Sequence, residues 1–120
     1  TTTAGHDRVI NNIRTEIKFS LAQKDKKNNC IKDNTFIINH IAENKDWERL
    51  IFVGINSNIS DSILIWFTKE DFQEHLKSEK CYIKRQQGGK NGGNDDYICG
   101  GKNLISLFEQ PFIKKGLDHW

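Results

Sequence analysis

At 120 residues and 13.9 kDa, with 36% apolar and 28% charged side chains, the chain is large enough for one compact domain with a real core. It is too small for two domains and too apolar to stay disordered. Its 18 basic and 16 acidic residues leave a net charge of +2, too balanced for bulk charge to mark a nucleic-acid binder. No stretch approaches the roughly 18 apolar residues of a membrane span, so no membrane partner is expected. The start has neither the basic nor the apolar region of a signal peptide, and opening on Thr1 rather than methionine is expected of a processed or excised piece. Cys30, Cys81 and Cys99 are odd in number and form no C-x-x-C pair, which argues against a disulfide framework or zinc ribbon and for a reducing, cytoplasmic setting.

Residues 7–21 predict a β-hairpin. Asn11 and Asn12 supply two residues that tolerate positive φ in a two-residue turn. That loop fixes the register: Ile10 faces Ile13, Val9 faces Arg14, and Asp7 faces Glu16. Alternation puts Ile13, Thr15, Ile17, Phe19 and Leu21 on a core face and Arg14, Glu16, Lys18 and Ser20 on a polar one. Residues 23–34, rich in Lys and Asn, read as an exposed loop. Thr35 is placed to cap a helix through about residue 45, with Phe36, Ile37 and Ile41 toward one side and Trp47 just beyond its end. Leu50 to Ile55 is continuously apolar, as expected of a strand at the centre of the sheet. Residues 63–67 form the next strand, and Thr68 opens a helix through about residue 77 with Asp71 at its third position. Six glycines between Cys81 and Lys102 predict a long hairpin or loop flanked by Tyr82-Ile83 and Tyr97-Ile98. A short helix from Asn103 to Phe108 is then interrupted near Pro111.

The hairpin register carries the chemistry. Directly opposed residues on antiparallel strands have Cβ atoms roughly 4.5–5.5 Å apart, and like charges there destabilise the sheet. Asp7 opposite Glu16 therefore calls for something that offsets the repulsion. Mg2+ does so naturally, because it prefers oxygen ligands, takes one or two carboxylates from protein and leaves its other positions to water and phosphate. Lys18, two residues beyond Glu16 and on the same face, is placed to hold an attacking water or to stabilise charge on a phosphate oxygen.

Asp7 followed by Glu16-Ile17-Lys18 resembles the motif of the PD-(D/E)XK nucleases, and within them of type II restriction endonucleases. The resemblance extends to Lys18-Phe19-Ser20, to a helix with the polar His40 at its centre, to the run Asp46-Trp47-Glu48-Arg49-Leu50-Ile51-Phe52-Val53-Gly54-Ile55, to a Trp-bearing strand, to Lys69-Glu70-Asp71 and to Gln87-Gly88-Gly89-Lys90. It covers most of the chain. What it implies is a single α/β domain over residues 1–120, a central mixed β-sheet flanked by helices in a restriction-endonuclease-like core. It further implies Mg2+-dependent hydrolysis of double-stranded DNA, with Asp7, Glu16 and the Ile17 carbonyl as metal ligands and Lys18 as the residue that orients or activates water. A homodimer and a cognate DNA methyltransferase encoded nearby follow by the same analogy. The family core usually begins with a helix and a strand before the Asp-bearing strand, whereas six residues precede Asp7. Those elements are therefore removed or supplied by another chain, or else the hairpin is an ordinary one.

Each of these residues also has a plainer reading. Asp7, Glu16 and Lys18 fit a solvated strand face carrying a Glu-Lys pair. His40 reads first as a polar residue on the exposed side of a helix and second as a neighbour of the scissile phosphate or water, and Ser20 reads first as structural. The glycine-rich loop is either a flexible connection or a device that carries Lys84, Arg85, Gln86, Gln87, Lys90 and Asn91 to DNA. It is not a Walker A loop, because Asn103 follows Gly101-Lys102 and Asp96 stands where the first glycine belongs. The competing function is a non-catalytic nuclease-like module that binds nucleic acid or protein, and an RNase would differ only in substrate.

Overall fold

The computed structural model describes residues 7–85, 96–118 and 120. Strands β1 (Arg8–Ile10) and β2 (Ile13–Leu21) form the expected hairpin, with Asn11 and Asn12 at φ of 52° and 65°. Two successive positive-φ residues are what a type I′ turn demands, and asparagine adopts that conformation with little strain. Next come β3 (Ile37–Ala42), β4 (Arg49–Ile55), a 3-10 turn (Ile59–Asp61), β5 (Ile63–Thr68), α1 (Lys69–Leu76), β6 (Lys84–Arg85), β7 (Asp96–Gly100), α2 (Lys102–Phe108) and β8 (Lys114–Lys115).

These strands make two sheets. The larger is mixed, in the order β1-β2-β4-β5-β8, with β2 and β4 parallel and every other pair antiparallel. The smaller is antiparallel, in the order β3-β7-β6. The apolar run 50–55 thus occupies the middle of the larger sheet, as its composition predicts. Thr68 caps α1 by accepting from the Asp71 N–H at 3.1 Å, the cap that the sequence anticipates there.

The core lies on one face of the larger sheet. Leu50, Phe52, Ile65 and Phe67 are buried there against Phe36, Ile38 and Ile41, Phe72 of α1, and Leu104 and Leu107 of α2. Aromatic rings interlock across this layer, Phe36 edge-on to Phe52 and Phe67 stacked on Phe72. Gly54 lets the Phe36 ring lie flat on β4: a Cβ at this position would stand 2.6 Å from the ring. Both helices and the smaller sheet therefore cover the same side, where helices on both flanks were expected.

Two expectations are corrected. Residues 35–45 form no helix. Ile37–Ala42 is strand β3, paired with β7, and its register slips so that Asn39 and His40 together oppose Ile98 alone. This bulge puts His40 at φ 54° and stretches the spacing of buried side chains to Phe36, Ile38 and then Ile41, which imitates a helical period. The core face of β2 is also the opposite of the one expected at its far end. Phe19 and Leu21 are 67% and 70% exposed, while Ser20 is buried. Side chains paired across neighbouring strands share a face, and the register sets Glu16 beside Leu50, Lys18 beside Phe52 and Ser20 beside Gly54. The polar side chains of β2 thus stand at the rim of the core layer, and the apolar ones face away from it.

Candidate active site

The hairpin builds the site. Arg8 pairs with Thr15 at the end of the ladder, and Asp7, in a bend just before β1, donates its N–H to the Thr15 carbonyl at 3.0 Å. The two carboxyl groups meet in hydrogen-bond contact. Asp7 Oδ2 also accepts from the Ile17 N–H at 2.8 Å. In an extended strand the N–H and C=O of one residue leave on the same edge, so the Ile17 carbonyl faces the edge where the Asp7 carboxylate sits. Lys18 stands on the Glu16 face of β2, half-buried, and its charge favours the ionised form of both carboxyls.

The two carboxyls are pushed apart in acidity. The hydrogen bond from Glu16 holds the Asp7 carboxyl below its ordinary value, with the Ile17 N–H and the Lys18 charge adding to that pull. Burial pushes Glu16 up to about 7, and its hydrogen bond to Asp7 and the Asp7 charge push in the same direction. At neutral pH Glu16 carries a proton about half the time while Asp7 stays ionised, so the pair bears less than two full charges, the response expected of opposed carboxylates. The donor set is entirely oxygen, two carboxylates and a main-chain carbonyl, which fits a hard cation such as Mg2+ that fills its remaining positions with water. No group of three or more His, Cys, Asp or Glu side chains is gathered to hold a metal among the described residues.

The other candidates lie elsewhere or are engaged. The Ser20 hydroxyl accepts from the Ile37 N–H at 3.1 Å and donates to the Leu21 carbonyl at 3.1 Å, tying β2 to the start of β3. His40 sits on the smaller sheet with Nδ1 3.3 Å from Asp96 Oδ2. Lys84 and Arg85 are exposed on β6, and the Arg85 guanidinium lies 5.7 Å from the centre of the Tyr97 ring. Gln86, Gln87, Lys90 and Asn91 fall outside the described residues. Trp47 and Trp66 are buried, each spending its indole N–H on a main-chain carbonyl, that of Ala42 and of Gly116. His75, which no sequence pattern singled out, is buried beneath Tyr82, and its Nε2 accepts from the Tyr82 N–H at 3.0 Å. Burial lowers its pKa, as an accepting neutral ring requires.

One residue near the pair was not foreseen. Lys45, in the turn after β3, lies close enough to Glu16 for its charge to favour the carboxylate. Nothing in the sequence linked them, because a helix over 35–45 would have carried Lys45 away from β2. Beside it a cleft of about 700 Å3 runs from Ile13 and Arg14 to Thr68, Lys69 and Gln73 at the start of α1. No family model matches the chain, and no curated protein and no solved structure matches it either.

Proposed function

We propose that this chain is a Mg2+-dependent DNA endonuclease of the restriction type, acting at the hairpin site on double-stranded DNA. The observation that carries the reading is the meeting of the Asp7 and Glu16 carboxyls at the open end of the hairpin, with Lys18 on the Glu16 face of β2. An ordinary solvated hairpin gains nothing from opposing two acids, and a cation of hard-oxygen preference removes the cost. Asp7, Glu16 and the Ile17 carbonyl would hold that ion, which when bound supplies the charge neutralisation that a scissile phosphate needs. The Ile17 N–H fixes the Asp7 carboxylate in orientation. Lys18 donates to the attacking water and holds down the charge building on the phosphate oxygens. A homodimer that cuts both strands belongs to the same proposal, as do a cytoplasmic location and a companion DNA methyltransferase.

Plasmid nicking tests this. With Mg2+ the chain converts supercoiled DNA to open circle, and EDTA stops it. Glu16→Ala and Lys18→Ala each lower the rate by about 100-fold or more, the usual scale for removing a group that acts at the reacting atoms. Wild-type nicking by both variants rejects the site. Binding of duplex DNA without cleavage under any divalent ion replaces the enzyme reading with that of a nuclease-like binding module.

A further inference from the structure

Four cations border the cleft beside the carboxylate pair, and three are already committed. The Arg14 guanidinium pairs with Glu48 Oε1 at 3.1 Å. Arg49 is stacked 4.6 and 4.9 Å from the ring centres of Trp66 and Trp120. The Lys69 ammonium donates to the Lys45 carbonyl and lies 5.1 Å from the centre of the Trp47 ring. The Lys45 ammonium has no hydrogen bond or ion pair among the described residues; Lys45 lines the cleft, and its charge acts on Glu16. Its backbone is nonetheless anchored, because the Lys69 side chain grips its carbonyl and the Lys69 N–H donates to the Glu48 carbonyl at 2.9 Å. The result is a cation on a fixed stem, with no hydrogen bond or ion pair among the described residues. Asp46, Glu48 and Glu70 also border the cleft, so its net charge is nearly even, and placement rather than bulk charge selects what binds there.

We propose that this cleft seats the DNA backbone next to the cleaved bond, and that Lys45 binds a non-bridging oxygen of the phosphate adjoining the scissile one. This rests on the nuclease reading of the Asp7–Glu16 pair. Arg14 lines the cleft and lies two residues before Glu16 on the same face of β2, so a strand whose phosphate meets the carboxylates continues directly past Lys45. A volume of about 700 Å3 lies within the ordinary range for ligand clefts. Lysine suits this role as a point charge, which a single phosphate oxygen can satisfy.

The test measures duplex binding by fluorescence anisotropy over a salt titration, in a Glu16→Gln background that does not cut. Lys45→Ala should weaken binding several-fold and reduce the slope of log K against log salt by about 0.9, the value for one lost phosphate contact, while Lys45→Arg retains both. In the otherwise wild-type chain, Lys45→Ala should raise KM for plasmid nicking by a larger factor than it lowers kcat, the smaller kcat loss coming from removal of the Lys45 charge that favours the Glu16 carboxylate. An unaltered salt slope overturns the proposal even if affinity falls, since a merely structural lysine would weaken binding without removing an ionic contact. No duplex binding by the Glu16→Gln chain overturns it as well. If Glu16→Ala and Lys18→Ala nick at the wild-type rate, the hairpin site itself is wrong. If both are inactive and Lys45→Ala keeps its KM and slope, only the phosphate contact is lost.

Discussion

Glu16 is pulled in two directions, by burial and Asp7 toward the neutral acid and by Lys18 and Lys45 toward the carboxylate, and the first pair wins. Its folded pKa of about 7 lies above the ordinary 4.5, so the folded chain holds a proton that the unfolded chain releases. The stabilisation this provides is fully present below about pH 4.5 and is lost as pH rises through about 7. In metal-free protein the melting temperature should therefore fall over that window. Glu16→Gln keeps the hydrogen bond without the charge. At pH 8 it should raise metal-free stability by roughly 1 kcal/mol after allowance for solvent screening, about 4 °C, and flatten the decline. A melting series from pH 4 to 8 checks this, and an identical slope in both proteins would show that the Glu16 pKa is not raised in the folded chain.

Among the elements, the hairpin and the bulged strand differ in how openly the sequence declares them. Asn11-Asn12 sets the register by local turn chemistry alone, so the pairs Ile10–Ile13 and Val9–Arg14 were readable from spacing, while Asp7 reaches the Glu16 carboxyl from a bend just before the ladder. The strand β3 was not readable, because the bulge at Asn39 and His40 depends on pairing with β7 nearly sixty residues away, and without that partner the interval from Ile38 to Ile41 has the period of a helix. The face of β2 was misread for a related reason: alternation gives two faces, but which one is covered depends on where α1, α2 and the smaller sheet come to rest. Gly54 shows the same dependence from the other side. Its place in a continuous apolar run gave no hint that Phe36 would occupy the space of its side chain. Gly54→Ala should cost about 2–3 kcal/mol, because the ring cannot retreat without opening the core. Denaturant unfolding measures it, and a loss under about 0.5 kcal/mol, the level of a surface change, would mean that the ring is not held there.

Across the whole molecule, one side of the larger sheet carries the helices and the smaller sheet, while Phe19 and Leu21 stand open on the other. Replacing both with threonine should change folding stability little, within about 1 kcal/mol, since each contributes little buried area and threonine suits a strand. Were these side chains part of the core, as alternation alone suggests, the double variant would lose several kcal/mol and fail to fold. Thermal melting separates the two outcomes. The parallel pairing of β2 with β4 has a consequence for assembly. The hairpin closes over two residues, whereas β4 must return to β2 after all of residues 22–48, a loop whose closure slows folding. The acidic pair is therefore made early and locally, before any burial rewards it. Its electrostatic cost then falls on the nascent chain, and under the proposed reading of the pair a divalent cation would relieve that cost during folding as well as in the finished site.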